Sequence, residues 1–434
     1  MKKIHFTYLC CLSAIIGSCT DADTMQLLLE ESNEGLPKIE VTGKQRLSAE
    51  AISIVSEFRS SHSTRSPNSE EILVDYVLSS DVITDTSIQE QMVDTMLYVL
   101  NVNDSDGFYL VSGDRALPDI VGYSDSGHFY LNSQQANEIN SLILNLYANY
   151  YLESFDDPIE PIRPTDPWLP PVTPWHPDTV VVIRDYIEYS PWTVLNSIPP
   201  MVPVEWHQGY PFNARLIDAV TNTRYVAGCV PIAVSQLLTY YRRPTGSFMN
   251  YTINDWDLIT GSIPSNIYGP YPNQYVSDVS ALVQWVCDGV NCTYGYNSTT
   301  AYMSAIPPFL STAGFSHPSS VCPYDSTALV QSIWNEHPVI VFGTDRADGN
   351  VGHAWIVDGL KREYRIRTWR NTYWGIIEES YEYRMMLHCN WGMQYSPNGY
   401  YLEGIFDVDH SAPNPDTDAD GYYRYNMTMI PEAY

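Results

Sequence analysis

A cysteine that opens a helix is the first chemical feature of this chain. Cys229 follows Gly228 and begins the run CVPIAVSQLLTYY (229–241), in which Val230, Ala233, Val234, Leu237 and Leu238 share one face at helical spacing. Pro231 falls in the first turn, where a missing N–H costs little. A sulfur at that place meets unpaired N–H groups and the positive end of the helix dipole. Both favour the thiolate, the nucleophilic form. A thiolate that attacks a carbonyl needs a base, something to orient the base, and donors for the oxyanion. His353 begins the strand-like run HAWIVDGL (353–360), and Gly352 before it permits close approach of substrate or backbone. Asn390 ends MMLHCN (385–390) and is followed by Trp391 and Gly392. An asparagine oxygen can hold the imidazole's tautomer and ring plane without adding charge, and Trp391 can keep water from that bond. Gln208, in WHQGYPFN (206–213), can join the Cys229 N–H as the second oxyanion donor. Singly, these residues have plain structural readings: a buried cysteine, a packed histidine, a turn asparagine and a loop glutamine. Together they point to acyl transfer through a thioester, with no metal or organic cofactor. His388 shares a strand face with Asn390 and is the rival base, but His353 is preferred because the orienter should come from another element. His207 reads as a loop residue.

The elements that must position these groups fall into two domains, as 434 residues require. The first domain covers 20–154 and reads as α+β. A helix carries Leu47, Ala51, Ile54, Val55 and Phe58, strands are predicted at 72–78, 96–102, 107–112 and 119–123, and a second helix at 135–152. Prolines then crowd residues 158–177, the first five of them every third residue. That period is the turn of polyproline II, so 155–194 is read as a semi-rigid spacer. The second domain, 195–434, is also α+β. It has the helix at 229–241, stopped by Pro244, and strands at 338–343, 353–360, 385–390 and 399–406.

Residues 1–19 read as an export signal. Lys2 and Lys3 precede an apolar run from Ile4 to Ile16, too short to span a bilayer, and Ile16-Gly17-Ser18-Cys19 resembles a lipobox in which Cys19 is lipidated. The expectation is a secreted or cell-surface protein anchored by lipid to the outer membrane of a Gram-negative bacterium. The alternative is an ordinary signal peptide. With Cys10 and Cys11 removed and Cys19 lipidated, five cysteines remain. If Cys229 is the free thiol, then Cys287, Cys292, Cys322 and Cys389 either pair, in any of three connectivities, or stay as buried thiols. Lys and Arg number 22 against 51 Asp and Glu, a formal charge of −29, which excludes nucleic acid as a natural partner.

Four segments carry a family resemblance. AGCVPIAVSQ (227–236), GHAWIVDG (352–359), HCNWG (388–392) and QGYPFN (208–213) resemble, in order, the nucleophile, histidine, Asn-Trp-Gly and oxyanion segments of the streptopain family of papain-fold cysteine peptidases. His353 follows Cys229 by 124 residues, near the roughly 130–150 of papain-like enzymes. DGFYLVSGD (106–114) and IVGYS (120–124) are similar to the propeptide of the family's Bacteroidetes members. The resemblance implies a papain-like catalytic domain behind an α+β propeptide domain. It implies an endopeptidase acting on proteins, with Cys229, His353, Asn390 and Gln208 catalytic and Gly228, Gly352 and Trp391 shaping the site. Its own propeptide would be its intramolecular inhibitor, released by a cut near the spacer. The chain departs from the family after Gly392, where Met393-Gln394-Tyr395 replaces a second Trp and glycines. The competing readings are an inactive surface-binding lipoprotein and a transpeptidase-type acyl transferase on the same dyad.

Overall fold

The computed structural model describes residues 4–6, 44–62, 71–83, 89, 92–103, 106–131, 138–154, 185–253, 255–261, 271–344, 352–371, 375–394, 397–406 and 425–432. Cys19 and the proline run at 158–177 lie outside these.

Apolar alternation builds the first domain. Strands β1 (Ile72–Leu78), β2 (Thr95–Val102), β3 (Phe108–Ser112) and β4 (Ile120–Ser124) pair antiparallel in chain order. Ile4–Phe6 lies antiparallel along the outer edge of β1. Helices α1 (Ser48–His62) and α2 (Glu138–Glu153) bury Ala51, Val55, Ile139, Leu142 and Leu146 against the sheet. β3 and β4 are buried along their whole length, as strands covered on both faces must be.

In the second domain, α3 (Cys229–Tyr241) is buried from Val230 to Thr239. A helix apolar all round belongs inside. It packs beside α4 (Asn273–Gly289), with Val234, Leu237, Leu238, Val279, Leu282 and Val286 in one cluster. The sheet is organised by a long hairpin, β8 (Gly352–Asn371) with β9 (Gly375–Asn390). The other edge of β8 receives β7 (Val339–Thr344), β6 (Thr193–Ile198) and β5 (Asp185–Tyr189) in turn. Beyond β9 lies β10 (Gly399–Leu402), and beyond β7 lies β11 (Tyr425–Ile430).

Several features differ from the sequence reading. The spacer read over 155–194 gives way at its end to β5 and the start of β6, because these residues hydrogen-bond along β8. The hairpin arms extend far past the apolar runs that announced them. Residues 399–406 are strand only to Leu402, then a 3-10 turn at Glu403–Ile405. The two domains also share one sheet: β4 pairs with β10, Tyr400 opposite Tyr123 and Tyr401 opposite Gly122. The core is correspondingly continuous, running from Leu110 and Tyr123 to Tyr401, Trp391 and Trp355.

Candidate active site

Cys229 is the first residue of α3 and partly buried. Gly228, at its N-cap, has φ +88°, and a Cβ there would stand 2.6 Å from the Thr299 carbonyl oxygen. Only glycine meets both conditions. Thr299 in turn donates to the Val226 carbonyl (2.6 Å), and Val226 N–H to Gly295 (3.2 Å). The chain therefore enters the helix along a fixed wall. Gln208 is tied to the same entry, its carbonyl accepting from Ala227 N–H at 2.9 Å.

His353 stands second in β8 and is 2% exposed. Its ring lies nearly parallel to Trp355, 6.3 Å away. Nε2 donates to the Trp391 carbonyl at 2.8 Å. A carbonyl only accepts, so the proton of the neutral ring sits on Nε2 and Nδ1 keeps its lone pair. That is the tautomer of a base. Burial drives the histidine's pKa down to about 4 against a small opposing effect of that carbonyl, so the ring is neutral at pH 7.

Asn390 was expected to orient this ring. The structure brings a different acceptor to it. Asn390 Nδ2 donates to the Val204 carbonyl at 2.8 Å, and its buried Oδ1 has no hydrogen-bond partner among the described residues. The next residue's backbone takes the orienting position. Trp391 itself is buried against Trp355 (5.1 Å) and Tyr401 (5.6 Å). Gly392 (φ +68°) brings this turn onto α3, since a Cβ there would lie 3.1 Å from Ile232 Cγ2, one turn from Cys229.

Segment 201–206, which leads to Gln208, hangs from three side chains. Asp358 of β8, 1% exposed, accepts from Val202 N–H at 2.9 Å. Asn390 of β9 holds Val204. Gln236 of α3 accepts from Trp206 N–H at 2.8 Å. The elements bearing His353, Asn390 and Cys229 thus each hold one rung of the strap carrying Gln208. His388 donates through Nδ1 to Asp358 Oδ1 at 2.6 Å, so it braces this strap. Gln208 Nε2 points to Met393 Sδ at 2.6 Å, which caps the amide expected to face an oxyanion. His207 is half-buried, its Nδ1 accepting from Gly209 N–H at 3.1 Å. Gly352 sits where a Cβ would strike Phe342 at 2.5 Å. Cys287, Cys292, Cys322 and Cys389 form no disulfide.

Residues 206–401 match the Peptidase C10 family, and residues 44–150 match the Spi protease inhibitor. The chain belongs to the streptopain family of cysteine peptidases. It is 24% identical over 336 residues to the thiol protease/hemagglutinin PrtT of Porphyromonas gingivalis, a match covering 71% of this chain and 34% of that protein. Streptopain of Streptococcus pyogenes is 23% identical over 376 residues, 77% of this chain and 80% of streptopain. This chain therefore spans about a third of the first relative and most of the second. A prointerpain A fragment from Prevotella intermedia shares the fold, with a TM-score of 0.51 and 18% identity over 79% of this chain and 97% of that one. An inhibitor-like α+β domain thus precedes the peptidase domain, as the sequence resemblance implied.

Sequence reasoning missed Asp358, Gln236 and Met393. Asp358 and Gln236 lay inside quoted motifs, yet only contacts with residues 201–206 reveal what they do. For Met393 the signal was the departure after Gly392.

Proposed function

We propose that this chain is an exported cysteine endopeptidase made as a zymogen, in which Cys229 and His353 form the reacting pair. The carrying observation is the joint between α3 and the Trp391–Gly392 turn. One face of that turn rests on the helix that begins with Cys229, while its carbonyl fixes the His353 tautomer. In the reaction, His353 Nδ1 takes the thiol proton and the helix N-terminus steadies the thiolate. The sulfur attacks a peptide carbonyl. Gln208 Nε2, freed from Met393, and the Cys229 N–H hold the oxyanion. The C–N bond breaks as His353 protonates the leaving amine, and water then hydrolyses the thioester. Asn390 acts by holding the strap at Val204 through its Nδ2.

Latency follows from the shared sheet. β4 of the first domain is bonded to β10, and β10 closes the turn after Asn390: the Tyr401 hydroxyl donates to the Pro397 carbonyl and Trp391 N–H to Asn398 Oδ1. With the first domain docked, this turn keeps His353 buried and Met393 on Gln208. Its removal frees the edge of β10 and lets the site open to protein substrates.

Cys229→Ala in the full chain tests the reading. It should abolish both self-processing, seen by mass spectrometry, and cleavage of an unfolded protein, while the chain stays folded. Processing at the wild-type rate would refute the assignment. Export is argued from Cys19 and the signal before it. Cys19→Ser should move the protein from the membrane fraction to the soluble one.

A further inference from the structure

A carboxylate of the first domain is held by an unusual socket of the second. Asp119, just before β4, accepts from Arg365 Nη1 (3.1 Å), Arg384 Nη1 (3.3 Å) and Trp192 Nε1 (3.1 Å). Both guanidiniums stack on the Trp192 ring, with their central carbons 4.5 and 4.2 Å from its centroid. Burial alone would raise the Asp119 pKa, yet Arg384 and Arg365 hold it below the usual carboxylate range. The socket is built independently of its occupant. Across the hairpin, Arg384 Nε bonds Glu363 at 2.7 Å and Arg365 Nε bonds Glu382 at 2.8 Å. The Arg384 side chain is 2% exposed, and its Nη2 has no hydrogen-bond partner among the described residues.

Composition singles out the same place. Lys361, Arg362, Arg365, Arg367, Arg370 and Arg384 are six of only 22 cations in a chain of net charge −29. They sit on two paired strands. Trp192 lies between β5 and β6, which are hydrogen-bonded to β8, so it stays with the peptidase when the first domain leaves. Departure of Asp119 opens one acceptor place on two guanidiniums that stay oriented by Glu363, Glu382 and the Trp192 ring. It also bares the edge of β10 that β4 had covered, where an extended chain can add by main-chain bonds.

We propose that in the processed peptidase the Trp192–Arg365–Arg384 socket is a carboxylate-binding exosite that takes an Asp or Glu side chain of the polypeptide being cleaved. Arg384 lies six residues before Asn390 on β9, roughly 20 Å along the strand. A short peptide in the cleft does not reach the socket, whereas a longer one with an acidic residue some six residues from the cut does. The inference rests on the zymogen peptidase reading above.

The test uses the self-processed chain and three kinds of substrate with one common cut sequence. One is a four-residue peptide. The others are long peptides with a Glu pair, or a Gln pair, six to eight residues from the cut, made with the pair on either side. The processed wild type should prefer Glu over Gln by about tenfold in kcat/KM on one side, the size expected of a charge-assisted bidentate contact. Arg365→Gln should erase that ratio, and Arg365→Lys should restore only part of it. The ratio is unmoved by a general loss of folded enzyme, which hydrolysis of the four-residue peptide measures. Equal rates on Glu and Gln peptides, or a preference that survives Arg365→Gln, would overturn the exosite while leaving the peptidase reading intact. Failure to cleave any of the three would instead sink the peptidase reading and the exosite with it.

Discussion

At the scale of single residues, the site is held by groups that never touch substrate. Gly228 is the clearest. Its φ of +88° and the Thr299 oxygen 2.6 Å from any Cβ mean that Gly228→Ala must distort the entry to α3. A loss of roughly 2–4 kcal/mol in stability is expected, read as a lower urea midpoint, together with loss of self-processing. Asp358 makes a subtler prediction. It positions Gln208 through Val202 and is braced by His388. Gln208→Ala should lower kcat by about 10²-fold as an oxyanion donor is lost, and Asp358→Asn by about tenfold with KM little changed. Because Asp358 acts through Gln208, the double variant should be scarcely slower than Gln208→Ala alone. Multiplying effects would show that Asp358 acts elsewhere.

At the scale of elements, the decisive feature is the hairpin of β8 and β9. Its outer arms pair Arg365 with Glu382, Glu363 with Arg384 and Tyr364 with Tyr383, and opposite charges or aromatics across a strand pair support it. The arms dock the first domain through Asp119. In the full chain, Asp119→Ala leaves Arg384 and Arg365 each with a single carboxylate, and should weaken docking by roughly 2–5 kcal/mol. The half-time for appearance of processed product should shorten at least several-fold. An unchanged half-time would mean that β4–β10 pairing alone holds the domain. The retained strands β5 and β6 add a further expectation. The processed chain should begin before Asp185, because cutting later would remove strands bonded along β8. N-terminal sequencing checks this.

For the whole molecule, buried histidines set the response to acid. His353 is pressed to about 4 by burial, and so is the half-buried His207. Both lie below the ordinary unfolded value of about 6.5. The unfolded chain therefore binds protons that the folded chain refuses between about pH 6.5 and 4. Stability is intact above this window and falls as pH drops through it. His353 contributes up to ~3 kcal/mol of this loss, and His207 less. The urea midpoint of the full Cys229→Ala chain should fall from pH 7 to pH 4.5, and His353→Gln should flatten that slope. An identical slope in the variant would show that His353 charges without cost, contrary to its burial.

What could be read from the residues alone was whatever rests on local spacing. Cys229 at a helix start, the strands carrying His353 and Asn390, the α+β order and the four segments of the streptopain family all follow from periodicity and short motifs. The hairpin arms were not legible, because residues 361–371 mix charges with aromatics and carry no apolar run. Their pairing is decided by partners across the strand. Nor could spacing say that the Trp391 carbonyl, rather than Asn390, meets His353, or that Met393 covers Gln208. Those outcomes depend on side chains from distant segments competing for the same few polar atoms in the packed site. Only the packed chain decides which of them wins.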